Sequence, residues 1–264
     1  MHPELCWPSN ISLRLPGWPL IPATQRILDA GSFGLAQKRK IVRNATGKLH
    51  LSPVESKTLY DWIGFRNDRR STDADITPEL EQRARHIVRQ HLFWSGKKRF
   101  VSKATANNQR YRLLNKIFPD ALFVHLVRDG RAVASSITMK KWLPDLYLWW
   151  AEEKAVNRLK YYDDPIQLIG EHWLRNVDEI AAARKLYGDD RYIELRYENL
   201  VADTHGELDR LLRFMGLSLD QGFFSVVPET LPNMNDKWQG NLTASQITSL
   251  DRTIGPKLAE LGYT

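Results

Sequence analysis

Residues 121 to 136 read Ala121-Leu-Phe-Val-His-Leu-Val127-Arg128-Asp129-Gly130-Arg131-Ala-Val-Ala-Ser-Ser136. The first part is almost continuously apolar, as expected of a parallel strand covered on both faces. Its end is a guanidinium that passes at once into a helix expected from about Gly130 to Lys141, with Asp129 placed to cap it. Such a junction favours anions, because backbone N–H groups and the positive end of the helix dipole face the carboxyl edge of the sheet. Ser136 and Lys140 stand four apart, on one helical face, so a hydroxyl and an ammonium can join Arg128 around one phosphate. A plainer reading is equally open on spacing alone. In it Arg128 pairs with a carboxylate such as Asp129 or Glu198, and Ser136 is a small packing residue.

Outward from this stretch the chain alternates. Residues 7 to 22 carry Pro8, Pro16, Gly17, Pro19 and Pro22 and read as loop, with helix resuming near Thr24. Ser52 and Glu55 have capping-box spacing before a helix through Ile63, and Thr77-Pro78 opens another to about Trp94. Then come a strand over Arg99 to Lys103, a helix over Asn107 to Phe118, and the strand Ala121 to Val127. Residues 144 to 187 read as mostly helical, punctuated at Asp163-Asp164-Pro165. A strand over Tyr192 to Arg196, a helix from Asp203 to Met215, and a last helix capped by Thr243 and Gln246 and reaching Leu261-Gly262 complete the pass. This order is that of an α/β fold, read as one domain over residues 1–264.

Bulk properties narrow the function classes. With 42% hydrophobic residues over 264 positions the chain can bury a full core, and no apolar run nears the roughly 20 residues that span a bilayer. The single cysteine, Cys6, rules out an internal disulfide framework and a multi-cysteine zinc site and suggests a reduced, cytoplasmic setting. No signal peptide is visible after Met1, and the sequons at Asn10, Asn44 and Asn241 are left uninterpreted. A net charge of +7 calls for an anionic partner without choosing among nucleotide, nucleic acid, acidic substrate or membrane headgroups.

Arg128 followed by Ser136, behind Phe118-Pro-Asp-Ala121 and an apolar strand, resembles the 3′-phosphate motif of sulfotransferases that use 3′-phosphoadenosine-5′-phosphosulfate (PAPS), bacterial and tyrosylprotein members above all. The likeness runs along nearly the whole chain except residues 144 to 170. It implies a three-layer parallel sheet flanked by helices, of the P-loop-nucleotide-hydrolase kind. It also implies that Arg128 and Ser136 grip the 3′-phosphate and that Lys140 supports it, where the tyrosylprotein group has an arginine. Lys103, in Ser-Lys-Ala-Thr-Ala-Asn-Asn, is similar to the lysine that stabilises the transferring sulfuryl group; otherwise it is an exposed strand-end lysine. Tyr197, in Leu195-Arg-Tyr-Glu-Asn-Leu200, matches a nucleotide-contacting tyrosine, and Lys237, in Asn235-Asp-Lys-Trp238, matches the lysine of the family's closing loop. Gly255-Pro-Lys-Leu-Ala-Glu-Leu-Gly-Tyr263 resembles the family's terminal helix and ending. PAPS is the implied cosubstrate, and no metal is required.

The match departs at two places. In the family, residues like His2-Pro3-Glu4 normally follow a strand, a Pro-x-x-Gly-Thr-Thr loop that cradles the 5′-phosphosulfate, and a helix; here they follow Met1. Gly31-Ser-Phe-Gly34 is too short to replace that loop, so the expectation is a sulfotransferase-like domain without its N-terminal strand and loop, inactive as the isolated chain. The general base is also missing: its family positions hold Asn10 and Thr105, and His2, His50 and His125 have no better claim. Residues 142 to 172, a family-divergent helical insert with a tryptophan-rich start, are expected to shape the acceptor pocket for a small-molecule, carbohydrate or peptide acceptor.

The leading expectation is therefore transfer of a sulfuryl group from PAPS to a hydroxyl or amine. A non-catalytic phosphoadenosine-binding remnant is the alternative that fits the absent loop and base. A nucleic-acid-binding role would use the positive charge, but zinc spacing, RNP-like aromatics and a basic arm are lacking, so neither nucleic acid nor membrane is the expected partner.

Overall fold

The computed structural model describes residues 2–9, 22–23 and 55–263. The expected helix near Thr24, most of the Pro-rich loop, the Ser52 half of the first capping box, and Asn10, Gly31, Asn44 and His50 lie outside the described residues. Strand β1, Leu5–Cys6, is followed in the described chain by helices α1, Lys57–Ile63, and α2, Pro78–Ser95. Helix α2 forms where its sequence signals stand. Thr77 accepts from the Leu80 N–H, Pro78 sits in the first turn where no helical partner is lost, and Gly96 closes the helix in the left-handed region.

Strand β2, Arg99–Phe100, pairs in parallel with β1 and is shorter than expected: after Val101 N–H donates to Cys6 the chain leaves the ladder. The helix expected over 107–118 is split into a 3₁₀ segment, Thr105–Arg110, and α3, Tyr111–Ile117. Strand β3, Phe123–Val127, and helix α4, Gly130–Thr138, realise the junction on which the fold was read. The next stretch corrects the expectation of a mostly helical segment. A 3₁₀ turn, Leu143–Asp145, leads into an antiparallel hairpin of β4, Tyr147–Leu148, and β5, Glu153–Lys154, before the short α5, Ala155–Leu159. The hairpin suits its residues, since aromatics favour the pleat and Leu148 is buried; the Tyr147 hydroxyl donates to the Glu152 carbonyl, with Glu152 at φ 54°.

Helix α6, Pro165–Tyr187, capped by Asp164, then β6, Tyr192–Arg196, α7, Tyr197–Ala202, α8, Thr204–Phe214, α9, Gln221–Phe224, α10, Lys237–Asn241, and α11, Ala244–Glu260, complete the order. Both halves of the capping box expected at Thr243 and Gln246 are present on α11. Strands β3 and β6 pair in parallel from Phe123 opposite Tyr192 to Val127 opposite Arg196. The architecture is thus α/β, with parallel strands and flanking helices.

Coverage of β3 differs from expectation. Val127 is buried and Phe123 stacks 3.9 Å from Tyr187, but Val124 and Leu126, on the other face, are 42% and 53% exposed. A near-continuous apolar run does not say which face is covered, and here the two faces, which alternate residue by residue, differ. The main core joins β3, α4, α6 and α11 through Val127, Ala134, Trp173, Leu250, Ile254 and Leu258. It fixes the start of α4 closely: a Cβ on Gly130 would lie 2.8 Å from the Trp173 ring and 2.9 Å from Ile254. A second core joins α1, α2 and α3 through Leu59, Ile63, Ala84, Ile87, Leu113 and Ile117. Among the described residues no helix is long and apolar enough to cross a membrane.

Candidate active site

Arg128 stands between the end of β3 and the start of α4, where Asp129 caps the helix by accepting from Arg131 N–H at 2.8 Å. Its guanidinium lies 4.3 Å over the Tyr197 ring. Arg128 Nε donates to Asn235 Oδ1 at 3.1 Å and an Nη donates to the Met234 carbonyl at 2.7 Å. Of the five N–H donors a guanidinium carries, the others have no partner among the described residues. Neither carboxylate considered from the sequence pairs with it: Asp129 is taken by the Arg131 side chain at 2.9 Å, and Glu198 accepts from Asp129 N–H, Asn235 Nδ2 and the Tyr263 hydroxyl. The Arg131 guanidinium in turn lies 4.6 Å over Trp238.

The other expected site residues fall in two places. Tyr197 is brought to Arg128, and Ser136 is half-buried on α4. Lys140 does not continue Ser136's helical face, because α4 ends at Thr138 and Lys140 N–H closes a turn on the Ile137 carbonyl. Lys237 is exposed at the first position of α10, beside Trp238. Lys103 lies apart, beyond β2. Its ammonium is ion-paired with Glu55, both groups being exposed, and its carbonyl accepts from Ser56 N–H at 2.8 Å. Among the described residues no hydrogen bond or ion pair joins Lys103 to the Arg128 group.

His125 and His2, the described histidines weighed from the sequence, are both held by hydrogen bonds within the fold. His125 Nδ1 meets Glu194 at 3.2 Å and the Tyr192 hydroxyl at 2.8 Å; His2 is buried, meets the Ser218 carbonyl at 2.8 Å and packs edge-on to Phe223. Burial pushes the Cys6 thiol up to about 11, which removes it as a nucleophile at neutral pH. The sequence leads one to expect Glu55 as part of a capping box, but α1 starts at Lys57 with Ser56 as its N-cap, so Glu55 stands before the helix and meets Lys103 instead. Its contact with Lys103 spans 48 positions and leaves no local signal.

A cleft of about 540 Å³ opens elsewhere, between the hairpin, α6 and the segment before the Asp73–Asp75 turn, and includes Arg69, Arg70, Trp149, Trp150, Arg175 and Glu179. The tryptophan-rich segment thus does line a cavity, with Arg70 bridging the Trp149 face at 5.6 Å and the buried Glu179 carboxylate. Burial holds Glu179 above the usual carboxylate range. Behind the wall, Asn176 Oδ1 accepts from Trp149 at 3.3 Å and from Asn108 at 3.1 Å, which ties the cleft to the 3₁₀ segment that follows Lys103.

The parallel α/β frame thus places the Arg128 guanidinium at a strand–helix junction on the carboxyl edge of the strands, the edge at which open α/β folds bind their ligands. The family model described as "Sulfotransferase family" matches residues 25–221, and the chain belongs to that family. Similar relatives include the omega-hydroxy-beta-dihydromenaquinone-9 sulfotransferases Stf3 of Mycobacterium bovis and Mycobacterium tuberculosis, each 28% identical over 190 residues, 70% of this chain and 47% of the relative. The chain spans about half the length of these relatives. Among solved structures, the sulfotransferase STF9 from Mycobacterium avium is similar over 100% of this chain and 72% of its own, with a TM-score of 0.60 at 13% identity. The sulfotransferase domain from the curacin biosynthetic pathway is similar over 100% and 90%, with a TM-score of 0.53 at 13% identity. These likenesses establish the sulfotransferase fold.

Proposed function

We propose that the chain takes part in sulfuryl transfer from PAPS to a hydroxyl or amine acceptor, with the nucleotide end of the donor at Arg128. The observation that carries this reading is the state of Arg128: it is fixed by a ring face and two neutral oxygens, so its charge and its remaining N–H groups are left for an anion. In the proposed reaction the acceptor oxygen or nitrogen attacks sulfur, the bond from sulfur to the 5′-phosphate oxygen breaks, and 3′,5′-phosphoadenosine leaves. Ser136, Lys140 and Lys237 would join Arg128 and Tyr197 around the nucleotide, and Lys103 would meet the transferring group. Glu55, the carboxylate in contact with Lys103, is the proposed acceptor of the proton that the attacking group gives up. The cleft by Trp149 and Arg70 is the proposed approach of the acceptor, since Asn108 and Asn176 tie its wall to the segment after Lys103. A single, buried thiol fits a cytoplasmic setting for this activity.

Titration calorimetry with adenosine 3′,5′-bisphosphate and adenosine 5′-monophosphate tests the nucleotide site. The bisphosphate should bind at one to one and clearly more tightly; equal affinities would remove Arg128 from the proposal. A polyanion that outcompetes both, with a steep salt slope, would favour a nucleic-acid surface instead. The Lys103–Glu55 pair favours a second reading, a phosphoadenosine binder without turnover, because there the lysine's charge is already neutralised. Transfer of labelled sulfate from PAPS to a panel of alcohols, phenols and amines separates the two readings.

A further inference from the structure

Glu198 follows Tyr197 directly in α7 and takes no part in binding Arg128 itself. Its carboxylate instead collects three groups from three distant parts of the chain. Oε1 accepts from Asn235 Nδ2 at 2.9 Å and from Asp129 N–H at 3.3 Å, and Oε2 accepts from the Tyr263 hydroxyl at 3.0 Å. Tyr263 remains a donor, because burial and the neighbouring Glu198 carboxylate raise its phenol well above the ordinary range.

The consequence lies in Asn235, which is buried and has an amide with one accepting and one donating end. A carboxylate only accepts, so Glu198 draws the NH₂ end toward itself. Oδ1 is then left pointing at Arg128 Nε, 3.1 Å away. Reversed, the amide would set its NH₂ against a guanidinium that can only donate, and that bond would be lost. Asn233 Oδ1 holds the Asn235 backbone N–H at 2.8 Å, so the side chain, rather than the loop, is the element left to be oriented.

We propose that Glu198 is a positioning residue of the Arg128 site, fixing through the Asn235 amide the plane in which the guanidinium meets a phosphate. This rests on the donor-site reading given above. Glu198 makes no direct bond to Arg128, whose hydrogen bonds go to the Asn235 and Met234 oxygens, so the carboxylate acts on the guanidinium through the amide rather than as its ion-pair partner.

The test measures a ratio, the affinity for adenosine 3′,5′-bisphosphate over that for adenosine 5′-monophosphate, by calorimetry on the full chain. General damage to the fold lowers both affinities and leaves the ratio unchanged. Glu198→Ala should lower the ratio about five- to tenfold, the scale of one lost hydrogen bond to the guanidinium. Glu198→Gln should keep it within about twofold, because its amide oxygen still accepts from Asn235 while its NH₂ faces the Tyr263 oxygen. Asn235→Ala should reproduce the loss, and adding Glu198→Ala to Asn235→Ala should lower the ratio no further. Should the alanine variant not fold, Glu198→Met keeps the volume without accepting oxygens and takes its place. A ratio unchanged by loss of the carboxylate, additive losses in the double variant, or a glutamine as damaging as alanine overturns the proposal. A wild-type chain without preference for the bisphosphate is a different result, and it overturns the donor site together with the role assigned to Glu198.

Discussion

Replacing Gly130 with alanine asks how firmly the start of α4 is held beneath Arg128. A Cβ at this position would lie 2.8 and 2.9 Å from two Trp173 ring atoms and 2.9 Å from Ile254 Cδ1, closer than such atoms approach in folded proteins. Trp173 and Ile254 are both buried in the main core, so neither the ring nor the branched side chain has space to retreat. Overpacking of this kind costs about 2–3 kcal/mol. In a chain of this size each kcal/mol shifts the melting temperature by roughly 2–4 °C, so Tm should fall by about 4–12 °C. Gly170→Ala is the control. Its Cβ would meet one Leu250 methyl at 2.9 Å, the next atom lying at 3.5 Å. That smaller clash is offset by the roughly 0.8–1.0 kcal/mol that alanine gains over glycine inside a helix. Differential scanning calorimetry of both variants decides the matter. A Gly130→Ala protein within 1 °C of wild type, or a Gly170→Ala protein that melts lower than Gly130→Ala, would refute the packing argument; each threshold is on the order of the error expected from that conversion.

Arg128→Ala should abolish the preference for adenosine 3′,5′-bisphosphate, weakening that ligand by about 1.5–3 kcal/mol for each charge-assisted bond lost, as read by calorimetry. In protein that turns over, Lys103→Ala should lower kcat far more than it weakens nucleotide binding; equal losses would make Lys103 a binding residue. A third expectation concerns acid. His172 Nδ1 accepts from the donor-only Trp150 Nε1 at 3.1 Å, and burial pushes the ring down to about 4. The unfolded chain, with the ordinary value near 6.5, therefore binds the proton first as pH falls. Stability should drop between about pH 6.5 and 4, by on the order of 3 kcal/mol, and the urea midpoint of His172→Gln should change less over that window.

What could be read from the sequence was local. The strand–helix junction at Arg128, the Thr77-Pro78 start and the Thr243–Gln246 box each lie within a few residues, where sterics and capping chemistry act, and the structure places all three. The hairpin after Leu146 escaped because Tyr147, Leu148, Trp149 and Trp150 suit either a buried helix or a strand, and only packing on the core decides. The two faces of β3 depart from the expectation for a related reason. Continuous apolar character states what a strand tolerates, whereas exposure of Val124 and Leu126 depends on which other elements arrive. At the site, Arg128 was visible as a charge at a turn, but its partners Met234 and Asn235 lie more than 100 positions away, and nothing near Arg128 names them.

The two cations expected to handle the donor are held in opposite ways, and the difference bears on their proposed roles. Arg128 is backed by a carbonyl, an amide oxygen and a ring face, none of which carries a formal charge, so it has no direct ion pair to break before the ligand arrives. Such a group contributes to binding from the ground state onward. Lys103 begins paired with Glu55, and it offers its charge only once that pair opens. Both partners are exposed, and an exposed pair is worth only about 0–1 kcal/mol, so opening it costs little. A lysine released as Glu55 takes up the acceptor's proton would gain free charge as negative charge builds on the transferring group. On the proposed function, the pair that makes Lys103 a poor ground-state anchor makes it suited to the transition state, and Glu55→Gln should strengthen ground-state nucleotide binding while lowering kcat. A variant that raised both would place Glu55 as a competitor for Lys103 and remove it as the base.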